Sequence, residues 1–142
     1  MTWYSYSLKE KIFEVREASG PTVREAEGFA KAFQDIRKAD KEMFFVVTLN
    51  QKHQIIDRHL ISMGSLTAAL VHPREVFKPA ILDSAAAVAF VHNHPSGDTT
   101  PRPEDRNLTD RLKEAGDILG IRVLDHIIVG DGHFSFSESG IL

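Results

Sequence analysis

Residues 87–105 read AVAFVHNHPSGDTTPRPED, and the architecture of the chain can be worked out from this segment. Ala87-Val88-Ala89-Phe90-Val91 is an apolar run without polar interruption, the pattern of a short buried strand. If the strand continues through His94, its period of two puts Val88, Phe90, His92 and His94 on one face. Pro95 has no N–H to give a ladder and ends the strand. A polar loop over residues 96–100 leads to Pro101-Arg102-Pro103-Glu104-Asp105, a helix start. Leu108, Leu112, Ala115 and Leu119 recur at helical spacing and predict the buried face of a helix reaching Gly120, which is placed to cap it.

Two imidazoles two residues apart on one rigid face can hold a metal ion from one side, since neutral imidazole is the commonest protein metal ligand. Asp105 lies three residues before Leu108, on or near the inward face of its helix. An inward carboxylate is costly unless paired. A metal held by His92 and His94 would pair it, and two His with one Asp and an open position describe a catalytic zinc site. The same carboxylate could instead serve the dipole of its own helix, the usual work of an acid in a first turn.

Upstream, Met43 to Leu49 is apolar on both faces and reads as a central strand. Residues 50–53 make a turn, and Gln54 to Ser62 returns as the second arm of a hairpin, with His53 and His59 exposed. Gly64 marks a bend before a segment from Leu66 to Val71. Pro73 suits the first helical position after His72, and Val76, Phe77, Ala80 and Ile81 give that helix its buried stripe. Further upstream, Leu8 to Arg16 reads as a solvated strand and Ser19-Gly20-Pro21 as a turn. Thr22 with Glu25 has the form of a capping box opening a helix to Ala39 that buries Ala26, Phe29, Ala30 and Phe33. Downstream, Ile121 to Val129 has the β-branched content of a strand interrupted by Asp125 and His126. Either could hold a metal-bound imidazole in one tautomer, or the two could form a structural pair. Gly130-Asp131-Gly132 turns the chain into a last strand, Phe134 to Ser137.

A chain of 142 residues is long enough for one domain with a real core. No apolar run approaches the ~20 residues of a membrane span, and the first residues lack the order of a signal peptide, so a cytoplasmic setting is expected. The chain has no cysteine, so a metal site must be built from His and carboxylates. Net charge is −3 with the cations scattered, which gives a nucleic-acid-binding surface no basic stripe to rest on.

His92-Asn93-His94-Pro95-Ser96-Gly97-Asp98 followed by Glu104-Asp105 resembles the signature of the RadC-like branch of the JAB/MPN (JAMM) zinc metalloprotein family. Gly64-Ser65-Leu66, the run from Val71 to Phe77 and the run from Leu124 to Gly130 match as well. The resemblance covers about residues 40–142. It implies an α/β, MPN/JAB (cytidine-deaminase-like) fold, a central mixed sheet flanked by helices with the metal at strand ends. Residues 41–142 would be the metal-binding domain and residues 1–40 a strand and helix extension covering it. The resemblance makes His92, His94 and Asp105 ligands of one zinc ion.

In the wider family a glutamate just before the first core strand acts as general base, and Glu42 is the matching position. On composition alone Glu42 is one more charge in a run of charges. The position three before the ligand aspartate is usually serine, which caps the helix and donates to the developing oxyanion. Here it is Arg102, which could supply a cationic donor or could point to solvent. The resemblance therefore implies a zinc peptidase or isopeptidase acting on a peptide or protein substrate. The alternatives are a binding module that has lost catalysis through Arg102, a non-haem iron site and a metal-dependent nuclease, the last lacking a basic groove; the family also carries an association with DNA repair.

Overall fold

The computed structural model describes residues 18, 20–64 and 71–142. In chain order these form α1 (Ala26–Ala32), a 3-10 turn (Gln34–Ile36), β1 (Glu42–Leu49), β2 (Ile55–Gly64), α2 (Pro73–Leu82), β3 (Ala87–Asn93), α3 (Pro103–Leu119), β4 (Arg122–Gly130) and β5 (Gly132–Ser135). The strands make one mixed five-stranded sheet in the order β2-β1-β3-β4-β5. Both β2 and β3 run antiparallel to β1, while β3 and β4 are parallel, joined by α3 as the crossover. β4 and β5 form an antiparallel hairpin.

Strand alternation explains why β1 and β3 are apolar throughout. Phe44 and Val46 of β1 with Val88 and Phe90 of β3 face one way, into a core closed by Val76, Phe77 and Ala80 of α2 and Leu108 and Leu112 of α3. Phe45, Val47, Ala89 and Val91 face the other way, against Val23, Ala26, Phe29, Phe33 and Ile36 around α1. Both faces are covered, so no position in these strands can be polar without a specific partner. Gly116 lets α3 lie close to the sheet: a Cβ there would sit 2.6 Å from the Ile121 carbonyl oxygen.

Several expected details differ. Thr22 does not cap a helix; it forms a bridge with Gln54. Gly20, Pro21 and Val23 all hydrogen-bond to the start of β2 or the turn before it, which holds this stretch extended and delays the helix until Glu25 is its N-cap. The helix also stops early. Phe33 leaves helical geometry and packs edge-on against Phe45, and the chain continues as 3-10 to Ile36 instead of α-helix to Ala39. Ile81 is 57% exposed and Leu119 49%, because Val76, Phe77 and Ala80 already fill the sheet-facing stripe of α2 and Gly116 ends that of α3.

His59 is not free at the surface but bonds the Asp83 carboxylate through Nε2 at 2.7 Å. His53 is only half-exposed, with a left-handed backbone and its ring Nδ1 buried. The final strand is shifted toward the turn, ending at Ser135. The strand expected over residues 8–16, and residues 66–70 of the segment after Gly64, lie outside the described residues. As expected, His72 is a helix-start residue, its Nδ1 accepting from the Arg74 N–H, and Gly120 closes α3 with φ of 72°. No described helix is long and apolar enough to cross a membrane.

Candidate metal centre

β3 delivers His92 on the α2/α3 side of the sheet, opposite Phe44 of β1. The strand ends at Asn93, yet the His94 N–H still donates to the Val129 carbonyl of β4, so the direction of the strand persists one residue further. This places both imidazoles at the C-terminal end of β3, where α3 begins. Asp105 is the third residue of α3 and is 1% exposed. The three donors converge. His92 Nε2 and His94 Nε2 are 3.0 Å apart, His92 Nε2 is 3.4 Å from Asp105 Oδ1, and His94 Nε2 is 3.3 Å from Asp105 Oδ2.

The hydrogen atoms on these rings can be assigned from their partners. Thr109 donates its single hydroxyl hydrogen to the Asp105 carbonyl at 2.6 Å. The hydroxyl oxygen, 2.6 Å from His126 Nδ1, must therefore accept from that nitrogen. Burial pushes His126 well below the usual imidazole range, so it is neutral and its Nε2 is a bare lone pair. That lone pair accepts from His92 Nδ1 at 2.7 Å. On the other ring, His94 Nδ1 donates to the Asp98 carbonyl at 2.7 Å. When both rings are neutral, their Nε2 lone pairs point at one another across 3.0 Å with a carboxylate beside them. Such a set repels itself unless a cation lies between.

The spacing suits one. A tetrahedral ion with ligand bonds of 2.0–2.1 Å has donors about 3.3 Å apart, close to the three separations found here. Without an ion the same demand for positive charge falls to a proton on Nε2, and the protonation tendencies show it. Burial lowers the pKa of His92 against the pull of Asp105. Burial also lowers that of His94, but hydrogen bonds to Asp105 and the Asp98 carbonyl outweigh it and leave it raised. Burial alone would raise the Asp105 carboxyl; the two imidazoles overcome this and hold it well below the carboxylate range. Asp105 also accepts from the Arg102 N–H at 2.8 Å, so it caps its own helix and faces the histidines at once.

Glu42 opens β1 at the same end of the sheet and is mostly buried. Its Oε1 is 2.5 Å from Nη2 of Arg102, whose Nε is 3.4 Å from Asp105 Oδ2. The Arg102 side chain thus turns inward to two carboxylates while remaining 46% exposed. Glu42, His94, Ser96, Asp98, Thr100 and Arg102 line an open cavity of about 230 Å³, in which His94 is the one donor of the three that borders it. Of His126 and Asp125, His126 hydrogen-bonds the His92 ring and Asp125 does not. Asp125 instead accepts from Ser135 Oγ and from the His126 and Ser137 N–H groups, holding the β4–β5 end in place. Thr109 and Asn93 were not singled out from sequence. For Thr109 the signal was available, since it lies one turn after Asp105 on the same helix face.

A second group of donors, Asp57, His59 and Asp83, also lies within 4.8 Å of one another. It sits at the other end of β1, beside Thr48, which donates to Asp83 at 2.8 Å. Asp83 is thus already engaged by Thr48 and His59, an arrangement that holds α2 to the hairpin.

A mixed sheet flanked by helices, with strand-end histidines and a helix-start aspartate brought together, defines a JAB-type domain with a candidate metal site. The RadC-like JAB domain model matches residues 23–141, and the chain belongs to that family. It is 57% identical over 109 residues to a UPF0758 protein of Trichlorobacter lovleyi, covering 76% of this chain and 47% of that one. A UPF0758 protein of Rubrobacter xylanophilus is 57% identical over 107 residues, with 75% and 47% covered. One from Symbiobacterium thermophilum is 59% identical over 102 residues, with 71% and 44% covered. The chain spans about half the length of the curated relatives it matches.

Proposed function

We propose that the domain is a zinc-dependent hydrolase of amide bonds, acting on a peptide or isopeptide in the cytoplasm. The observation that carries this reading is the convergence of two imidazoles and one carboxylate beside an open cavity that His94 and Glu42 both line. His92, His94 and Asp105 would hold one Zn²⁺, which when bound lowers the pKa of a coordinated water toward about 7 and polarises a carbonyl.

The chain's own residues do the rest. Glu42, at the rim of the cavity, takes the proton from the attacking water and hands it to the leaving amine. His126 and Thr109 hold the His92 ring in the tautomer that presents Nε2. Arg102 pairs with Glu42 and supplies a guanidinium donor at the cavity mouth for the charge that develops on the substrate oxygen.

Metal analysis of the purified chain, followed by a fluorogenic peptide-library assay with and without chelator, tests the reading. One equivalent of zinc and chelator-sensitive cleavage are expected. Glu42→Gln should keep the metal and lose turnover, and unchanged turnover in that variant removes Glu42 from the mechanism. The 2.5 Å ion pair favours one second reading, a binding module in which Arg102 occupies the base. Zinc at full occupancy with clear cleavage would rule that module out.

A further inference from the structure

Asn93 separates the two histidine donors and is itself fully buried. Its neighbour His92 is the last residue of β3 paired with β1, opposite Phe44. Beyond that point the backbone ladder between the two strands stops, and the Asn93 side chain takes over. Its Oδ1 accepts from the Met43 N–H at 2.7 Å, and its Nδ2 donates to the Lys41 carbonyl at 3.0 Å. Those two backbone groups flank Glu42. Only a carboxamide offers a donor and an acceptor side by side at this reach. A carboxylate has no donor, and a hydroxyl is shorter and has one atom to share.

We infer that Asn93 is a positioning residue that sets the distance from the Glu42 carboxylate to the ion. Its backbone lies between the two ligand histidines and its amide grips the chain on both sides of Glu42, so ligands and base are tied by one residue. The inference rests on the reading of Glu42 as the base. A merely structural role, filling a strand end and satisfying two buried groups, would leave the environment of the ion unchanged.

Cobalt gives a readout that needs no substrate. The chain is loaded with Co²⁺ and its visible absorption is followed against pH in the unaltered protein, Glu42→Gln, Asn93→Thr, Asn93→Ser, and Glu42→Gln combined with each. A carboxylate beside the ion opposes proton loss there, so Glu42→Gln should lower the midpoint by on the order of one pH unit. Asn93→Thr should bind one equivalent of Co²⁺ and lower the midpoint in the same direction, and adding Glu42→Gln to it should produce little further change. Asn93→Ser repeats the measurement with a smaller side chain should the threonine variant fold poorly.

A midpoint that moves in Glu42→Gln but stays native in both Asn93 variants would overturn the inference and leave the base intact. Additive shifts in the double variants would overturn it as well. A midpoint unmoved by Glu42→Gln would remove the base, and this inference with it.

Discussion

Nε2 of His126 lies 2.7 Å from Nδ1 of His92, with both rings fully buried between β3, β4 and α3. Two neutral imidazoles in contact can share only one proton, and its place depends on what the outer nitrogen of His126 touches. That partner is the Thr109 hydroxyl, whose hydrogen is already committed to a backbone carbonyl. The order of donors is thereby set along the whole row, ending with the His92 lone pair aimed at His94 and Asp105.

Thr109→Val keeps the shape of the side chain and removes the acceptor. His126 is then free to carry its hydrogen on Nε2, where it opposes His92. Zinc affinity, measured by competition with a chromophoric chelator, should fall by about 10- to 100-fold, the usual effect of losing such a support. Thr109→Ser keeps the hydroxyl and should bind as the parent does. Equal affinity in the parent and the valine variant would show that the row does not orient His92.

Arg102→Ser places at the N-cap of α3 the residue that the family resemblance implies there. The helix gains a side-chain acceptor, worth about 1 kcal/mol, while Glu42 loses its cationic partner. If the guanidinium is a working donor, cleavage should drop by on the order of a hundredfold at unchanged metal content. A rise in rate in the serine variant would instead identify Arg102 as an obstruction and favour the binding-module reading.

Away from the site, Arg58 forks onto Asp35 with contacts of 3.1 and 2.6 Å, its guanidinium over the rings of Phe33 and Phe45. The hydrogen bond from Arg58 holds the Asp35 carboxyl below its ordinary 3.8. A carboxyl with a lowered folded-state pKa stabilises the fold above its unfolded pKa, and that contribution is lost as pH falls through the folded value. Urea unfolding of the parent and Asp35→Asn should therefore differ at pH 7 and converge on acidification below 3.8. A gap of constant size at both ends would assign the effect to packing alone.

Gly116→Ala should destabilise the domain even though alanine is the better helix former. The added methyl meets the Ile121 carbonyl oxygen at 2.6 Å and a Val123 methyl at 3.1 Å, and backbone cannot step aside cheaply. The overpacking cost of roughly 1–3 kcal/mol exceeds the gain of about 1 kcal/mol in propensity. Thermal melting checks this: a midpoint at or above that of the parent would mean that α3 can lift from β4.

The sequence alone determined the order of strands and helices from β1 onward, and the three donors, because each rests on local rules. Apolar runs bounded by Pro and Gly define β1 and β3, and Gly120 ends α3 by its backbone freedom. A His-x-His at a strand end followed by an inward acid at a helix start is a pattern readable along the chain. What tertiary structure decided depends on neighbours remote in sequence. Thr22 looks like a cap until Gln54 recruits it to the sheet edge. His126 and Asp125 are equivalent as letters, and only parallel pairing of β3 with β4 turns one to His92 and the other to Ser135. Asn93 gave no sign of its grip on the chain around Glu42, because those backbone groups lie about fifty residues earlier. Periodicity says which face a side chain occupies; which partner waits on that face is settled only when the strands pair.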